Sequence, residues 1–173
     1  MLIRPVRVDD ARALHEIQLQ PEVLPYILPL PSLRLQDLED RLRHLGPEMH
    51  FFVAERDERV VGYAGLMRHS GRQGHAGHLF LAVHAACHGQ GIGTALLQKL
   101  LDLADNWLML ERVELSVLAT NPGAERLYAR LGFAVEGRKR GSVASRGAWV
   151  DEILMARLRP GGALAAGPGA ARG

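Results

Sequence analysis

At 173 residues, 47% of them hydrophobic and 23% charged, the chain has the make-up of one globular domain, neither disordered nor membrane-embedded. A formal charge of +2 with scattered basic residues excludes the basic face that nucleic-acid binding requires, and the one cluster, GRKRG at 137–141, reads as a solvated hairpin end. A single cysteine, Cys87, excludes an internal disulfide, no apolar run approaches the roughly 20 residues of a membrane span, and the first residues lack a signal-peptide core, so a cytoplasmic protein with no membrane partner is expected.

Residues 2–8 (LIRPVRV) read as a first strand, with Asp9 or Asp10 capping a helix over 10–19. Gln20 to Ser32 holds four prolines, which rules out a helix or a central strand and leaves a stiff apolar loop carrying Tyr26. A second helix is expected over 34–45, ended by Gly46 and Pro47. Residues 50–69 read as two strands around the polar turn RDER, and 75–83 as another strand. Beyond three closely spaced glycines, Ile92, Leu96, Leu100, Leu103 and Trp107 fall on one helical stripe, which Leu97, Leu101 and Leu108 widen; this helix should be largely buried. Residues 112–119 (RVELSVLA) alternate as a strand does. Asn121 and Pro122 open a further helix, with Glu125 in its first turn and Gly132 as its left-handed stop. FAVEGRK and AWVDEILMARL form a closing hairpin. The order β-α-α-β-β-β-α-β-α-β-β describes one mixed α/β domain over 1–158, an antiparallel meander feeding a central parallel β-α-β pair, with helices on both faces. The Gly/Ala-rich tail, 159–173, is expected to be disordered.

Gly89, Gly91 and Gly93 stand directly before the leucine-rich helix, an arrangement that aims backbone N–H groups at phosphate. A nucleotide-triphosphate loop needs Gly-Lys followed by Ser or Thr, but the first lysine here is Lys99, nearly two turns into the helix. A dinucleotide fingerprint needs G-x-G-x-x-G. Counting from Gly89 places Thr94 at the last glycine, and counting from Gly91 places Leu96 there. Glu114 lies about twenty positions on, near the start of its strand, where a ribose-binding carboxylate does not belong. A pyrophosphate outside both classes is left, beside a reading in which Gly89, Gly91 and Gly93 serve only a tight strand-to-helix turn.

HGQGIG (88–93) matches the pattern [Q/R]-x-x-G-x-[G/A], with His88 at the usual Gln or Arg. NPGAERLYARLGF (121–133) matches N-x-x-A-x-x-[LV]-Y-x-[KR]-x-G-F at each defined position. On these two motifs and the element order, residues 1–158 resemble the GCN5-related N-acetyltransferases. QPEV, DNWL, RVEL and WVDEILMARL resemble in particular a bacterial branch that acetylates the α-amine of free amino acids.

The resemblance implies the acyl-CoA N-acyltransferase fold, acetyl-CoA as donor and a small-molecule primary amine as acceptor. A protein N-terminus, a polyamine or a drug remains an alternative acceptor, as does a non-catalytic acyl-CoA-binding sensor. It implies that Leu81, Ala82 and Val83 pair with the pantetheine arm and polarise the thioester. His88, Gly89, Gln90, Gly91, Ile92, Gly93 and Thr94 would cradle the pyrophosphate, and Asn121, Ala124 and Tyr128 would complete the cofactor site. Tyr128 would also protonate the leaving thiolate. The family's frequent dimers imply a homodimer.

Deprotonating an α-amine of pKa near 8 at pH 7 costs only about 1 kcal/mol, against about 4.6 for a lysine amine, so a mild base suffices. His78, where many relatives carry Glu, is the first candidate and Glu114 the second. Tyr26 and Trp149 are expected to line the acceptor pocket. The histidines at 75, 78, 84 and 88 do not suggest a metal, since His75 and His78 point to opposite faces of a strand and no ligand motif is present. Cys87 is not needed as a nucleophile, because direct attack by the amine requires none.

Overall fold

In the computed structural model, which describes residues 1–165, the elements run β1 (Leu2–Pro5), α1 (Ala11–Gln18), α2 (Leu35–Arg43), β2 (Met49–Arg56), β3 (Arg59–Arg68), β4 (Ala76–Val83), α3 (Ile92–Asn106), β5 (Arg112–Leu118), α4 (Pro122–Arg130), β6 (Ala134–Ser145) and β7 (Ala148–Leu158). The strands are hydrogen-bonded in the order β1-β2-β3-β4-β5-β7-β6, with β4 and β5 parallel. This mixed sheet with a parallel β-α-β pair is the α/β class that the element order implied. No helix among the described residues is long and apolar enough to cross a membrane. The described residues form two compact units: residues 1–66 with 80–100, and residues 67–79 with 101–165.

In the first unit, α1 and α2 bury one stripe each because their leucines and isoleucine recur at helical spacing. Leu14, Ile17, Leu38 and Leu42 join Val53, Tyr63 and Ala82 in one core. Phe51, Tyr63 and Phe80 meet edge to face, with centroids 5.3 to 6.4 Å apart. The Phe80 ring lies against the bare backbone of Gly65, where any Cβ would collide with it. Asp57 and Glu58 turn the β2–β3 hairpin with φ of 51° and 61°, the left-handed pair of a tight two-residue turn. Asp10 does not cap α1 as its residue type suggested. Its carboxylate accepts from Arg4 (2.8 and 2.9 Å) and from the Arg7 backbone N–H (2.7 Å), and Arg4 also reaches Glu55. Burial disfavours the Asp10 charge, but these bonds outweigh it and hold the carboxyl below the usual range.

In the second unit, β5 pairs with β4 from Ala76↔Arg112 to His78↔Glu114, and with β7 from Arg112↔Leu158 to Leu118↔Glu152. Its period-two pattern buries Val113, Leu115 and Val117 and turns Arg112, Glu114 and Ser116 to the other face. β6 pairs with β7 through register shifts between Val135 and Gly137 and between Lys139 and Val143. Asn121 Oδ1 accepts from the Ala124 N–H at 3.1 Å, Pro122 follows at the first helical position, and Gly132 stops α4 at φ 90°. Arg157 makes a two-pronged contact with Asp105 at 2.7 and 2.9 Å.

The buried stripe of α3 contains the expected Ile92, Leu96, Leu97, Leu100 and Leu101, with Ala104 in addition; Leu103 and Leu108 are only partly buried, and Trp107 is 76% exposed. Trp107 stands just past the end of α3, its N–H still donating to the Leu103 carbonyl at 3.1 Å, and the chain turns away beyond it at Met109, whose φ is 52°. Of the expected disordered tail, residues 159–165 run through turns tied to Glu111 by Arg159 and by the Leu164 N–H. Residues 166–173 lie outside the described residues.

Candidate active site

Leu81, Ala82 and Val83 end β4 in the first unit, and the His84 N–H donates to the Val61 carbonyl at 2.9 Å. A short turn, Ala85–Cys87, follows, in which the His84 ring accepts from the Ala86 N–H. Gly89 and Gly91 then take φ of 72° and 79°, a region that glycine enters without the steric cost of a Cβ. No atom lies within 4 Å of where a Cβ would stand at either position. The first backbone bond of the helix runs from the Ala95 N–H to the Gly91 carbonyl at 3.0 Å. The N–H groups of residues 89–94 therefore meet no protein acceptor among the described residues, at the positive end of a 15-residue helix. Such a row binds anions.

Three side chains brace this loop. His88 Nε2 lies 2.8 Å from the Val83 carbonyl oxygen, which can only accept, so Nε2 carries the proton. Gln90 Oε1 accepts from Arg56 at 2.6 Å, while its Nε2 donates to the Ala86 carbonyl at 2.9 Å. Gln20, at the head of the proline-rich segment, accepts from the Ala85 N–H at 2.8 Å. That segment is pinned at its other end by His15 Nε2 on the Leu33 carbonyl, and Tyr26 stands half-exposed on it in a short turn. Arg56 and Gln20 carried no sequence signal, because their partners lie 34 and 65 residues away.

The second unit holds the other expected residues. Asn121 spends its Oδ1 on the helix cap, leaving its amide nitrogen without a protein acceptor among the described residues. Tyr128 is 7% exposed and packs edge-on against Phe133 at 5.9 Å. Burial pushes its hydroxyl up to about 12, so it is a neutral phenol at pH 7. Trp149 is 77% exposed on the β6–β7 hairpin, beside Arg140 and Gly141 around a shallow open hollow.

His78 is half-buried and faces Glu114 across the β4–β5 rung. Glu114 Oε1 receives His69 Nε2 at 3.0 Å and its Oε2 receives Arg112 Nε at 2.9 Å; Arg112 turns its remaining nitrogens to Glu136. Burial raises the proton affinity of Glu114, but these two donors outweigh it and keep the carboxyl ionised. With both oxygens engaged, Glu114 is poorly suited to take a proton. Burial lowers the pKa of His78 from 6.5, against the opposing pull of Glu114. At pH 7 it is a neutral imidazole. Nearby, the buried carboxylate of Glu152 accepts from the Ser116 hydroxyl at 2.8 Å. Neither His69 nor Glu152 was marked by any sequence pattern. Among the described residues no group of three His, Cys, Asp or Glu side chains is arranged to hold a metal ion.

The model of the acetyltransferase (GNAT) family matches residues 12–133, a span that includes both the glycine loop and α4. Over 160 residues the chain is 29% identical to an L-amino acid N-acetyltransferase of Escherichia coli, covering 92% of this chain and 98% of that protein. A solved ribosomal-protein-alanine N-acetyltransferase of Brucella melitensis is similar with a TM-score of 0.77 at 27% identity, over 91% of this chain and 99% of that one. The spermidine N-acetyltransferase of Vibrio cholerae, solved with CoA and spermine, shares the fold with a TM-score of 0.82 at 22% identity, over 91% and 95% of the two chains. The chain belongs to the acetyltransferase (GNAT) family and is an N-acetyltransferase.

Proposed function

We propose that the chain moves an acetyl group from acetyl-CoA to the α-amine of a small molecule, a free amino acid. The observation that carries the donor half is the row of unpaired N–H groups at 89–94, set on glycines of positive φ at a helix N-terminus. Residues 88–94 thus fit a pyrophosphate. The acceptor half is supported by the Escherichia coli relative, an L-amino acid N-acetyltransferase whose alignment spans nearly all of both chains.

Acetyl-CoA, when bound, supplies an acetyl group activated as a thioester. The N–H groups of 89–94 bind its pyrophosphate, and the backbone of Leu81 to Val83 takes the pantetheine arm and polarises the thioester carbonyl. His88 acts through the Val83 carbonyl, holding the strand end against the loop. Asn121 and Ala124 contribute to the cofactor site. His78, neutral at pH 7, takes the proton that the acceptor ammonium gives up. Tyr128, held as a neutral phenol, supplies the proton to the departing sulfur. One N–C bond forms as one C–S bond breaks; of the two protons that nitrogen loses, the first goes to His78 and the second, lost after attack, replaces the one that Tyr128 gives to sulfur. Tyr26 and Trp149 are assigned to acceptor binding.

Free amino acids added to protein saturated with acetyl-CoA should release free thiol. Saturable CoA binding without thiol release from any amine would instead describe a sensor.

A further inference from the structure

Glu114 carries more contacts than strand pairing requires. His69 and Arg112 each hold one of its two oxygens, and Arg112 is itself held by Glu136. Because Glu114 is an ionised acceptor, His69 keeps its proton on Nε2. The charged and titratable groups that act on His78 come from four neighbouring segments: Glu114 of β5, His69 just past β3, Glu152 of β7 and Lys139 of β6. Of these, Glu114 occupies the rung directly opposite, in parallel register.

Resting on the reading of His78 as the base, we propose that Glu114 is its positioning residue, a clamped negative charge that stabilises the imidazolium formed when His78 takes the acceptor's proton. His69 and Arg112 hold that carboxylate in place and keep it from taking the proton itself. The group therefore acts through His78 and never on substrate. A carboxylate free to rotate or to protonate would serve this purpose poorly, which gives the double grip a function beyond tying β5 to its neighbours.

The pH profile of kcat/KM for an amine acceptor separates this role from a structural one, since His78 must be unprotonated to act. Glu114→Gln keeps the shape of the side chain and removes its charge. The protonated form of His78 then loses its partner, and the acidic limb moves to lower pH by about one unit, with CoA affinity unchanged. Glu114→Asp keeps the charge and returns the limb toward its original position. If Glu114→Gln is too unstable to assay, Glu114→Met, similar in length and also uncharged, reads the same coupling with the same sign; the limb again moves to lower pH. A limb that stays in place in the folded variant overturns the proposal, whatever happens to thermal stability. His78→Asn separates the two levels. If it retains both turnover and the acidic limb, the reading of His78 as base fails and this proposal fails with it. If it loses turnover while Glu114→Gln leaves the limb unmoved, only the role of Glu114 is lost.

Discussion

His88 turns its ring back to the strand it follows, donating from Nε2 to the Val83 carbonyl across 2.8 Å. The residue that departs from the family's Gln or Arg is thereby a brace between the end of β4 and the glycine loop. Glutamine can make the same donation, whereas alanine cannot. His88→Ala should weaken CoA binding about 5- to 10-fold, the worth of one hydrogen bond, and His88→Gln should stay close to the original affinity. Isothermal titration with CoA checks both.

Gly91 sits at φ 79° with nothing within 4 Å of its missing side chain. A Cβ at Gly91 therefore meets no atom beyond its chain neighbours, and the expected cost of Gly91→Val to the fold is backbone strain of about 1–3 kcal/mol. The side chain would stand over the N–H groups that the pyrophosphate needs. CoA binding should fall at least about 100-fold, equivalent to about 2.7 kcal/mol, while far-UV circular dichroism remains that of the folded protein.

Tyr128→Phe removes a hydroxyl that makes no hydrogen bond within the protein among the described residues and leaves the contact with Phe133 in place. Stability and CoA affinity should change little. The turnover number should fall by about 100-fold or more, the typical worth of a proton donor. Steady-state kinetics with direct CoA titration makes the distinction, and unchanged turnover would remove Tyr128 from its role.

The Asp10–Arg4 pair has side chains only 8% and 14% exposed, so removing one partner leaves the other charge largely buried. Asp10→Asn should cost about 2 kcal/mol at pH 7, read by urea unfolding. The pKa of Asp10 is lowered on folding, so its stabilisation is present above the unfolded value, about 3.9, and is lost as pH falls through the lower folded value. The gap between the original protein and the variant should accordingly narrow in acid and be constant from pH 6 to 8.

Local chemistry made much of the fold readable in advance. Asn121, Pro122 and Gly132 each answer a need of one helix end, and the alternation over 112–118 needs only its own period. The glycine loop was legible for the same reason, since positive φ at Gly89 and Gly91 is a property of single residues. Trp107 misled because its helical spacing continues past the point where α3 ends. Asp10 misled because Arg4 and the Arg7 N–H draw its carboxylate away from the helix it precedes. His69 was invisible for a different reason: its meaning lies in Glu114, 45 residues on, and no periodicity links two segments that only the sheet brings together. Glu152 was hidden likewise, its hydroxyl partner Ser116 being 36 residues away.

The most direct measurement is the rate of thiol release from acetyl-CoA, compared as kcat/KM for free L-amino acids, spermidine and a peptide with a free N-terminus. Transfer to a free amino acid predicts that at least one amino acid exceeds the polyamine and the peptide by about tenfold or more, or about 1.4 kcal/mol, and that the product carries its acetyl group on the α-nitrogen. A preference for spermidine or for the peptide, or thiol release that no amino acid accelerates, would contradict it.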